Sequence, residues 1–389
     1  MTPNRILHVI SSLDEIHGGP TLALKHLALA QHRRGMPVKV AMTFGRQEDP
    51  RVTTLLRASG IEVLTIGPCL GKLMWHPATG RVVRSAIDSA DIVHVHGLWE
   101  DVHHQAAAAS RRIGRPYVMR PCGMLDPWSL ARSRWLKQLF LAARLRTDLN
   151  RAAAIHFTSA LERESAAPLR LHAPTVVEGN GIDLDLFRDR PPRGRFKARL
   201  PFGDRPFVLF LGRVTPKKGL DLIVRALAEP RCAGICLAVV GPDEQPFRTR
   251  VDALVRELGV ADRVHFAGML RGPSVVDALV DAEISLLPSL QENFATSVLE
   301  SLAAGTPVIV SDQVDIHPDI SREAVGAVIP RTVEALASAL AEWMADPDRR
   351  RSAGQRARAY GLRHGWDGIA ERWAGHYSRL IASHRPQPA

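Results

Sequence analysis

The feature that most constrains the fold is an alternation of short, apolar, β-rich runs with longer segments of helical spacing, which occurs twice along the chain. Such alternation predicts parallel strands in a sheet that helices cover on both faces. A chain of 389 residues, 46% of them hydrophobic, is long enough for two cores of this kind. The first set of predicted strands is Ile6–Ile10, Val38–Met42, Glu62–Ile66, Asp91–Val95, Tyr117–Met119 and Ala154–Phe157, and the second is Phe207–Leu211, Ile235–Val240, Val264–Phe266, Ile284–Leu287 and Val308–Val310.

Between the two sets the composition changes to proline, glycine, arginine and aspartate, around Asp185–Pro206. We therefore predict an α/β protein with two Rossmann-like, doubly wound domains, residues 1–187 and 207–364, joined by a linker over 188–206. Ligands of such sheets bind at the carboxyl ends of the strands, so two domains would share an interdomain cleft.

The C-terminal tail, residues 365–389, carries large apolar side chains at helical spacing. We predict a terminal helix that crosses back onto the first domain. The residues that define this spacing are Trp366, Ile369, Trp373, Tyr377 and Leu380.

Composition also bounds the location of the protein. No stretch approaches eighteen apolar residues, so we predict no membrane span, and the start of the chain lacks the pattern of a signal peptide. The four cysteines show no C-x-x-C spacing, which is typical of buried thiols in a reducing compartment. The sequence therefore predicts a cytoplasmic protein.

The formal net charge of +11 is unevenly distributed. Between Arg111 and Arg151, ten basic residues face only Asp126 and Asp148, and over Trp128–Arg146 the basic residues alternate with aromatic and aliphatic ones. This pattern favours either a helix on an anionic membrane surface, which would place the protein at the inner face of the membrane, or a solvated basic helix with a packed underside. Because no nucleic-acid-binding motif accompanies the charge, we expect no nucleic-acid partner.

The strongest local motif lies in the second half of the chain. A predicted strand ends at Pro288, a loop carries Glu292, and a helix is expected near Ser297 with Thr296 as its cap. The amides of Ser297, Val298 and Leu299 would then suit a pyrophosphate. We expect Glu300, one turn into the helix, to accept bonds from ribose hydroxyls, and Glu292 to meet the sugar.

A basic loop, Gly212–Gly219, follows the strand Phe207–Leu211 directly. Its Arg213 and Lys218 are five positions apart, so both cations can reach one diphosphate and stabilise it as a leaving group. An ordinary basic turn is the competing interpretation. The motif with Glu292, about eighty residues later, favours the diphosphate.

A glycine pair, Gly18-Gly19, follows the first predicted strand and precedes a helix that starts near Pro20. Glycine here allows either close approach of a ligand to the backbone or a tight turn. The pattern is not G-x-G-x-x-G, so no nicotinamide-binding fingerprint is present.

Together these motifs resemble the retaining glycosyltransferases of family 4, which have the GT-B architecture. The family is marked by two glutamates separated by seven residues, as Glu292 and Glu300 are, before a turn like Gly305–Val308. Asn293 stands where the family commonly has glycine, which leaves the donor sugar open. The segment Arg120–Trp128, after His96–Trp99, resembles a subgroup that builds bacterial surface polysaccharides, including exopolysaccharide and lipopolysaccharide.

The resemblance implies roles for further residues. It implies that Arg213 and Lys218 bind the diphosphate, that His96 lies beside the reacting sugar, and that Met269 or Leu270 contacts the nucleotide base. It implies a transferase that needs no metal or other cofactor, with a UDP- or GDP-linked sugar as donor and a glycan or lipid-linked molecule as acceptor.

Two groups of residues could suggest a metal site. The histidines 94, 96, 103 and 104 come with no set of carboxylates or cysteines, so we expect them to hold no metal. Asp183-Leu184-Asp185 looks like the D-x-D metal motif of a different glycosyltransferase fold, and we expect that match to be a coincidence.

Other functions stay open at this point. A nucleotide-sugar epimerase or a catalytically silent sugar-nucleotide-binding protein would share the phosphate site. A glycosidase would use two carboxylates but has no need for Arg213 and Lys218.

Overall fold

The computed structural model describes residues 4–131, 134–243 and 245–384, with the main chain alone at positions 17, 128, 134 and 136. The chain folds as two compact units. The first comprises the residues up to Gly181 together with the segment from Trp366, and the second comprises Ile182–Gly365. Residues 182–187 and the predicted linker 188–206 thus lie within the second unit.

The first unit is built on seven strands, and its helices are numbered here along the chain. The strands are β1 Ile6–Ile10, β2 Val38–Thr43, β3 Glu62–Ile66, β4 Ile92–His96, β5 Tyr117–Arg120, β6 Ala154–Phe157 and β7 Thr175–Val177. The helices are α1 Gly19–Arg33, α2 Arg51–Ala58, α3 Thr79–Asp88, α4 Asp101–Ile113, α5 Pro127–Ala131, α6 Arg134–Phe140, α7 Arg146–Asn150, α8 Ala160–Ala166 and the C-terminal α17 Trp366–His384.

All pairings in this sheet are parallel, in the order β3-β2-β1-β4-β5-β6-β7. The order reverses between β1 and β4, where loops leave the sheet in opposite directions and open a crevice at the strand ends. His8 on β1 lies directly opposite His94 on β4, and Ile10 lies opposite His96.

The C-terminal helix α17 completes one of the two cores of the first unit. Its apolar positions Trp366, Ile369, Trp373 and Tyr377 are buried in one cluster with residues of β1, β2 and α1. The last two are fully buried, which is expected of residues four apart on one helix face. The predicted return of the tail to the first domain is confirmed.

The second unit has six strands. They are β8 Phe207–Leu211, β9 Cys236–Val240, β10 Val264–Gly268, β11 Ser285–Leu287, β12 Val308–Ser311 and β13 Gly326–Ile329. The helices are α9 Asp185–Arg188, α10 Leu220–Ala228, α11 Phe247–Glu257, α12 Pro273–Asp281, α13 Thr296–Ala304, α14 His317–Arg322, α15 Val333–Ala345 and α16 Pro347–Gly361.

This sheet is also parallel, in the order β10-β9-β8-β11-β12-β13, and the order reverses between β8 and β11. Its strands read as nearly continuous apolar runs because helices bury both faces in one large core. Two Rossmann-like, doubly wound sheets confirm the predicted fold class. None of the helices in the described part of the chain combines the length and hydropathy that crossing a bilayer requires.

Candidate functional site

The site of the second unit lies where the sheet order reverses, and close backbone contacts join the two loops that flank this point. Gly219 ends the basic loop after β8 with φ +74°, and a Cβ atom there would lie 2.2 Å from the carbonyl oxygen of Pro288, after β11. The amide of Leu290 donates to the carbonyl of Lys217 at 2.7 Å. Only glycine permits this approach, so the two loops are held as one surface.

On that surface the ammonium of Lys218 forms an ion pair with the carboxylate of Glu292. Both side chains are largely buried. The backbone of Glu292 is itself fixed, since its amide donates to Gln313 and its carbonyl accepts from Asp315. The residues singled out as a diphosphate contact and a sugar contact thus meet at one point, 74 positions apart in sequence.

Arg213 lies in the same loop, and its side chain is exposed. Its carbonyl accepts from the amide of Thr215 at 2.9 Å, which tightens the turn. Gly212 before it donates to Val240 of β9, so the loop is anchored to the neighbouring strand as well as to the loop after β11.

The start of α13 differs from the predicted one. Thr296 is the first helical residue rather than the cap, and Ala295 before it adopts a left-handed conformation with φ +51° and no side-chain cap. The amides of Val298 and Leu299 donate to the carbonyl of Ala295, at 2.8 and 3.4 Å. Of the three predicted phosphate donors, only Ser297 therefore lies at a helix position whose amide is beyond the reach of the helix's own bonds.

Glu300 occupies the second turn of α13 and is partly buried. Burial raises the pKa of its carboxyl to about 7. In the part of the chain that the structure describes, no hydrogen bond or ion pair reaches this carboxylate. It is therefore a hydrogen-bond acceptor that is held near its titration point at neutral pH.

The predicted base contacts follow β10, at the edge of the same sheet. Met269 is half-exposed and Leu270 is partly buried against the core. The guanidinium of Arg271 contacts the sulfur of Met269 at 3.5 Å.

The D-x-D pair lies at the start of the second unit and serves a local turn. The carboxylate of Asp183 accepts from the amide of Asp185, whose own carboxylate pairs with Arg188. The geometry is that of a side-chain-stabilised turn.

In the first unit, the predicted glycine pair starts α1. Gly18 has φ +77° and Gly19 is the first helical residue, and a Cβ atom on either would meet nothing within 4 Å. The positive φ gives Gly18 a conformational reason to be glycine.

His96 ends β4 and is 1% exposed. Its Nε2 atom lies 2.9 Å from Nδ1 of His8, and its Nδ1 atom lies 3.4 Å from the guanidinium of Arg120. Burial, then the proximity of His8 and Arg120, holds the pKa of the His96 imidazole well below its usual range. His96 is therefore a neutral ring.

A histidine trio that the sequence analysis did not foresee lies beside it. Nitrogen atoms of His8, His94 and His96 are within 4.8 Å of one another, a spacing at which three ligands could hold a metal ion. His103 and His104 are not members of this trio: Nδ1 of His103 lies 3.2 Å from the carboxylate of Glu100, and Nδ1 of His104 lies 2.7 Å from that of Asp148. The sequence signal for His8 was a polar residue in the middle of an otherwise apolar strand.

Other residues of the two crevices were also missed. Asn180 accepts from Arg120 at 2.5 Å, and Arg331 donates to the carbonyl of Pro288 at 3.2 Å. Arg331 follows β13, an edge strand that the sequence analysis did not predict, so nothing in the pattern placed it near β11.

The basic segment of the first unit leaves apolar side chains in solvent. On α6, Trp135 is 85% exposed and Leu139 is 66% exposed. Some of its cations are engaged: Arg144 pairs with Asp101, and Lys137 lies over the ring of Trp99. Arg132 and the side chains of Trp128, Arg134 and Leu136 lie outside the described residues.

Two family profiles match the chain, one in each unit. The family described as "Glycosyl transferases group 1" matches residues 193–360, and the "Glycosyl transferase 4-like domain" matches residues 18–181.

Curated relatives match over part of their length. A D-inositol 3-phosphate glycosyltransferase of Thermobispora bispora is 31% identical over 235 residues, which are 56% of this chain and 54% of that protein. A GDP-mannose-dependent alpha-(1-6)-phosphatidylinositol monomannoside mannosyltransferase of Mycobacterium tuberculosis is 31% identical over 206 residues, 50% of this chain and 53% of that protein. The chain thus spans about half the length of the curated relatives it matches.

Solved structures match over nearly the whole chain. Anabaena HepE in complex with UDP and glucose has a TM-score of 0.80 at 20% identity, covering 97% of this chain and 100% of that one. WaaG, a glycosyltransferase involved in lipopolysaccharide biosynthesis, has a TM-score of 0.72 at 19% identity, covering 96% and 99%. The structural likeness to these proteins, at about 20% sequence identity, shows that this chain has the GT-B fold.

Proposed function

Since this chain belongs to the group 1 glycosyltransferases, we propose that it transfers a sugar from a nucleoside diphosphate donor to a glycan or lipid-linked acceptor. The observation that carries the proposal is the pairing of Lys218 with Glu292 at the point where the second sheet reverses its order. Ligands of open α/β sheets bind at such points. A cation and a carboxylate there supply one contact for a diphosphate and one for sugar hydroxyls.

The donor would exchange this internal ion pair for bonds of its own. Lys218 would turn to a phosphate oxygen, and Glu292 would then accept from the sugar. Arg213, exposed in the same loop, would bind the diphosphate beside Lys218, and the first amides of α13 would complete the site. Three sources of positive potential neutralise the leaving group, so we propose that transfer needs no divalent metal.

We propose that the product keeps the anomeric configuration of the donor, as the family resemblance implies. In this scheme an oxygen of the departing diphosphate takes the acceptor proton. The scheme gives Glu292 the task of orienting the sugar and gives His96 a place beside it. An inverted product anomer, read by NMR, would contradict the proposal.

The acceptor is proposed from the names of the relatives. Proteins at about 31% identity are named for inositol 3-phosphate and for a phosphatidylinositol mannoside, and a structural neighbour is named for lipopolysaccharide biosynthesis. We propose a phosphorylated or lipid-linked polyol or glycan, in the assembly of a surface glycan. UDP and GDP donors both remain candidates.

The experiment is a turnover assay with UDP- and GDP-sugars, each with and without phosphorylated, lipid-linked and free glycan acceptors. We expect release of nucleoside diphosphate that depends on the acceptor and persists in excess EDTA. Conversion of the donor without acceptor would identify an epimerase instead. Binding of the nucleotide, seen as a thermal shift without turnover against any acceptor, would identify a silent binding protein.

A further inference from the structure

Four buried histidines lie on one face of the first sheet and are joined by hydrogen bonds. They come from three strands, and none is more than 2% exposed. Two residues from helices complete the group, Gln31 of α1 and Tyr377 of α17. The histidines are His8 on β1, His94 and His96 on β4, and His156 on β6.

One end of this group admits only one direction of hydrogen bonding. The guanidinium of Arg120 can only donate, so Nδ1 of His96, 3.4 Å away, must accept. A neutral His96 then carries its proton on Nε2 and donates to Nδ1 of His8 at 2.9 Å. His8 in turn carries its proton on Nε2 and donates to Oε1 of Gln31 at 2.7 Å.

The other end gives the same direction independently. The backbone carbonyl of Glu178 can only accept, so His156 donates to it from Nε2 at 2.8 Å. Nδ1 of His156 then accepts from Nε2 of His94 at 3.1 Å. The remaining nitrogen of His94 accepts from the hydroxyl of Tyr377 at 2.8 Å.

The two halves meet at Gln31. Its amide nitrogen lies 3.4 Å from the oxygen of Tyr377, which has already given its proton to His94 and can accept. If the side-chain amide of Gln31 were flipped, its nitrogen would face Nε2 of His8, and that atom would have to accept. His8 would then carry its proton on Nδ1 and donate to Nε2 of His96, the reverse of the bond described above. The proton of His96 would then point at Arg120, donor against donor. Only one arrangement of protons satisfies the whole chain.

We propose that this proton-ordered chain holds His96 as the neutral Nε2–H tautomer, with Arg120, His8 and Gln31 as its positioning residues. A further proton on His96 has only Nδ1 to occupy, where it would meet the N–H groups and the charge of Arg120. His96 therefore enters the transfer reaction as a fixed, uncharged ring and takes no part as acid or base. This consequence rests on the proposed function, whereas the tautomer does not.

The charges around the ring agree with the proton order. The titratable and charged groups that act on the His96 ring come from β1, β4, β5 and β6 and from α4, and none of those named below is negative. The carboxylate of Glu178 pairs with the guanidinium of Arg372. Glu178 takes part in the series of hydrogen bonds through its backbone carbonyl, which accepts from His156. The groups that face His96 are His8, His94, His103, His156 and Arg120.

The direct test is NMR of the full chain labelled with ¹⁵N in its histidines, with His8→Gln and His156→Gln used for assignment. We expect four neutral Nε2–H rings whose signals stay unchanged between pH 8 and pH 5.5. A Nδ1–H tautomer or an imidazolium at any of the four at pH 7 would overturn the proposal. Shifts of these signals on adding Zn²⁺ would also overturn it and identify the trio as a metal site.

The second test compares pH profiles of kcat at saturating donor. In Arg120→Met, His96 loses both the donor and the neighbouring charge, so its pKa rises and an acid limb appears. On that limb we expect kcat to fall about tenfold for each unit by which the pH is lowered. The wild type should show no such limb, and Arg120→Lys should have the flat profile of the wild type. Equal profiles for Arg120→Met and the wild type would refute the positioning role.

The two tests also separate this proposal from the proposed function. If the wild type proves inactive with every donor, the NMR spectrum still decides the tautomer. If Arg120→Met does not fold, the wild-type spectrum again decides it.

Discussion

At the scale of single residues, Lys218 and Glu292 neutralise each other at a partly buried position. A bound diphosphate would replace Glu292 as the partner of Lys218. Lys218→Ala removes a charge-assisted donor aimed at the leaving oxyanion. We expect it to lower kcat with saturating donor by on the order of 100-fold, equivalent to about 3 kcal/mol of barrier. The same measurement on Arg213→Ala should give a loss of similar size.

The neighbouring Lys217→Ala is the matched control, because it removes the same charge from the same loop while Lys218 keeps its pairing with Glu292. Its expected rate is near that of the wild type. Equal losses in Lys217→Ala and Lys218→Ala would indicate a general charge effect and remove the diphosphate role from Lys218.

The contact between Gly219 and Pro288 predicts a second effect. Gly219→Ala combines a left-handed φ with a Cβ atom 2.2 Å from a carbonyl oxygen, so the two loops must separate. Gly234 has a comparable φ of +83° with nothing within 4 Å of a Cβ atom. We expect Gly234→Ala to lower the free energy of unfolding by about 1 kcal/mol, the cost of the conformation alone.

Gly219→Ala should cost more in urea unfolding and should also reduce the thermal shift that UDP or GDP produces. If both variants lose the same stability and bind nucleotide equally, the close contact between the loops has no bearing on the site.

At the scale of elements, α6 carries exposed apolar side chains within a basic segment, which favours reversible attachment to anionic membranes. Each basic residue near such a surface contributes about 1 kcal/mol. We expect the chain to sediment with phosphatidylglycerol vesicles at low salt and to be released by high salt. The triple change of Arg132, Arg134 and Lys137 to Glu should reduce binding, as should Trp135→Ser.

The control makes the same change of charge on the second unit, with Glu in place of Arg225, Arg250 and Arg256, all exposed on α10 and α11. It should sediment as the wild type does. If the wild type stays in the supernatant at low salt, the segment is a solvated basic helix and a soluble acceptor is favoured.

Elements also mark the limit of what the sequence could predict. The apolar runs predicted most strands to within a residue or two, since both sheets are buried on both faces. They missed β7 and β13, which are short edge strands with partly exposed side chains. They misplaced the start of α13, because Ala295 in a left-handed conformation has no sequence signal.

The same limit applies to the candidate sites. The spacing of Arg213, Lys218, Glu292 and Glu300 was visible in the sequence. The loops that carry the first three of these residues lie side by side because β8 and β11 are neighbours in the sheet. The series of hydrogen bonds that runs from Arg120 to Glu178 through the buried histidines could not be read from the sequence. Its members lie on elements that are distant in sequence.

At the scale of the whole molecule, buried neutral histidines predict how stability depends on pH. Burial lowers the pKa of His8 to about 4, against 6.5 in the unfolded chain. Below pH 6.5 the unfolded chain therefore binds the extra proton, and stability falls as the pH drops toward 4, by about 3 kcal/mol from this residue. Glu300 acts with the opposite sign, costing stability as the pH rises from 4.5 toward 7.

Urea unfolding between pH 8 and pH 4.5 measures this dependence. We expect a steeper loss in acid for the wild type than for His8→Gln, whose slope should be smaller by about one proton. His172→Gln, at an exposed position, should keep the wild-type slope. A wild-type curve no steeper than that of His8→Gln would contradict the buried, neutral state of His8.

The place of α17 in the first unit has a consequence for the synthesis of the protein. The ribosome must complete the whole second unit, about 180 residues, before it makes the helix that covers Ile6, Leu24 and Leu27. At translation rates of 5–20 residues per second, this interval is about 10 to 40 s. During it the nascent first unit is without the helix that buries these residues, and exposed apolar surface of this kind is what chaperones bind.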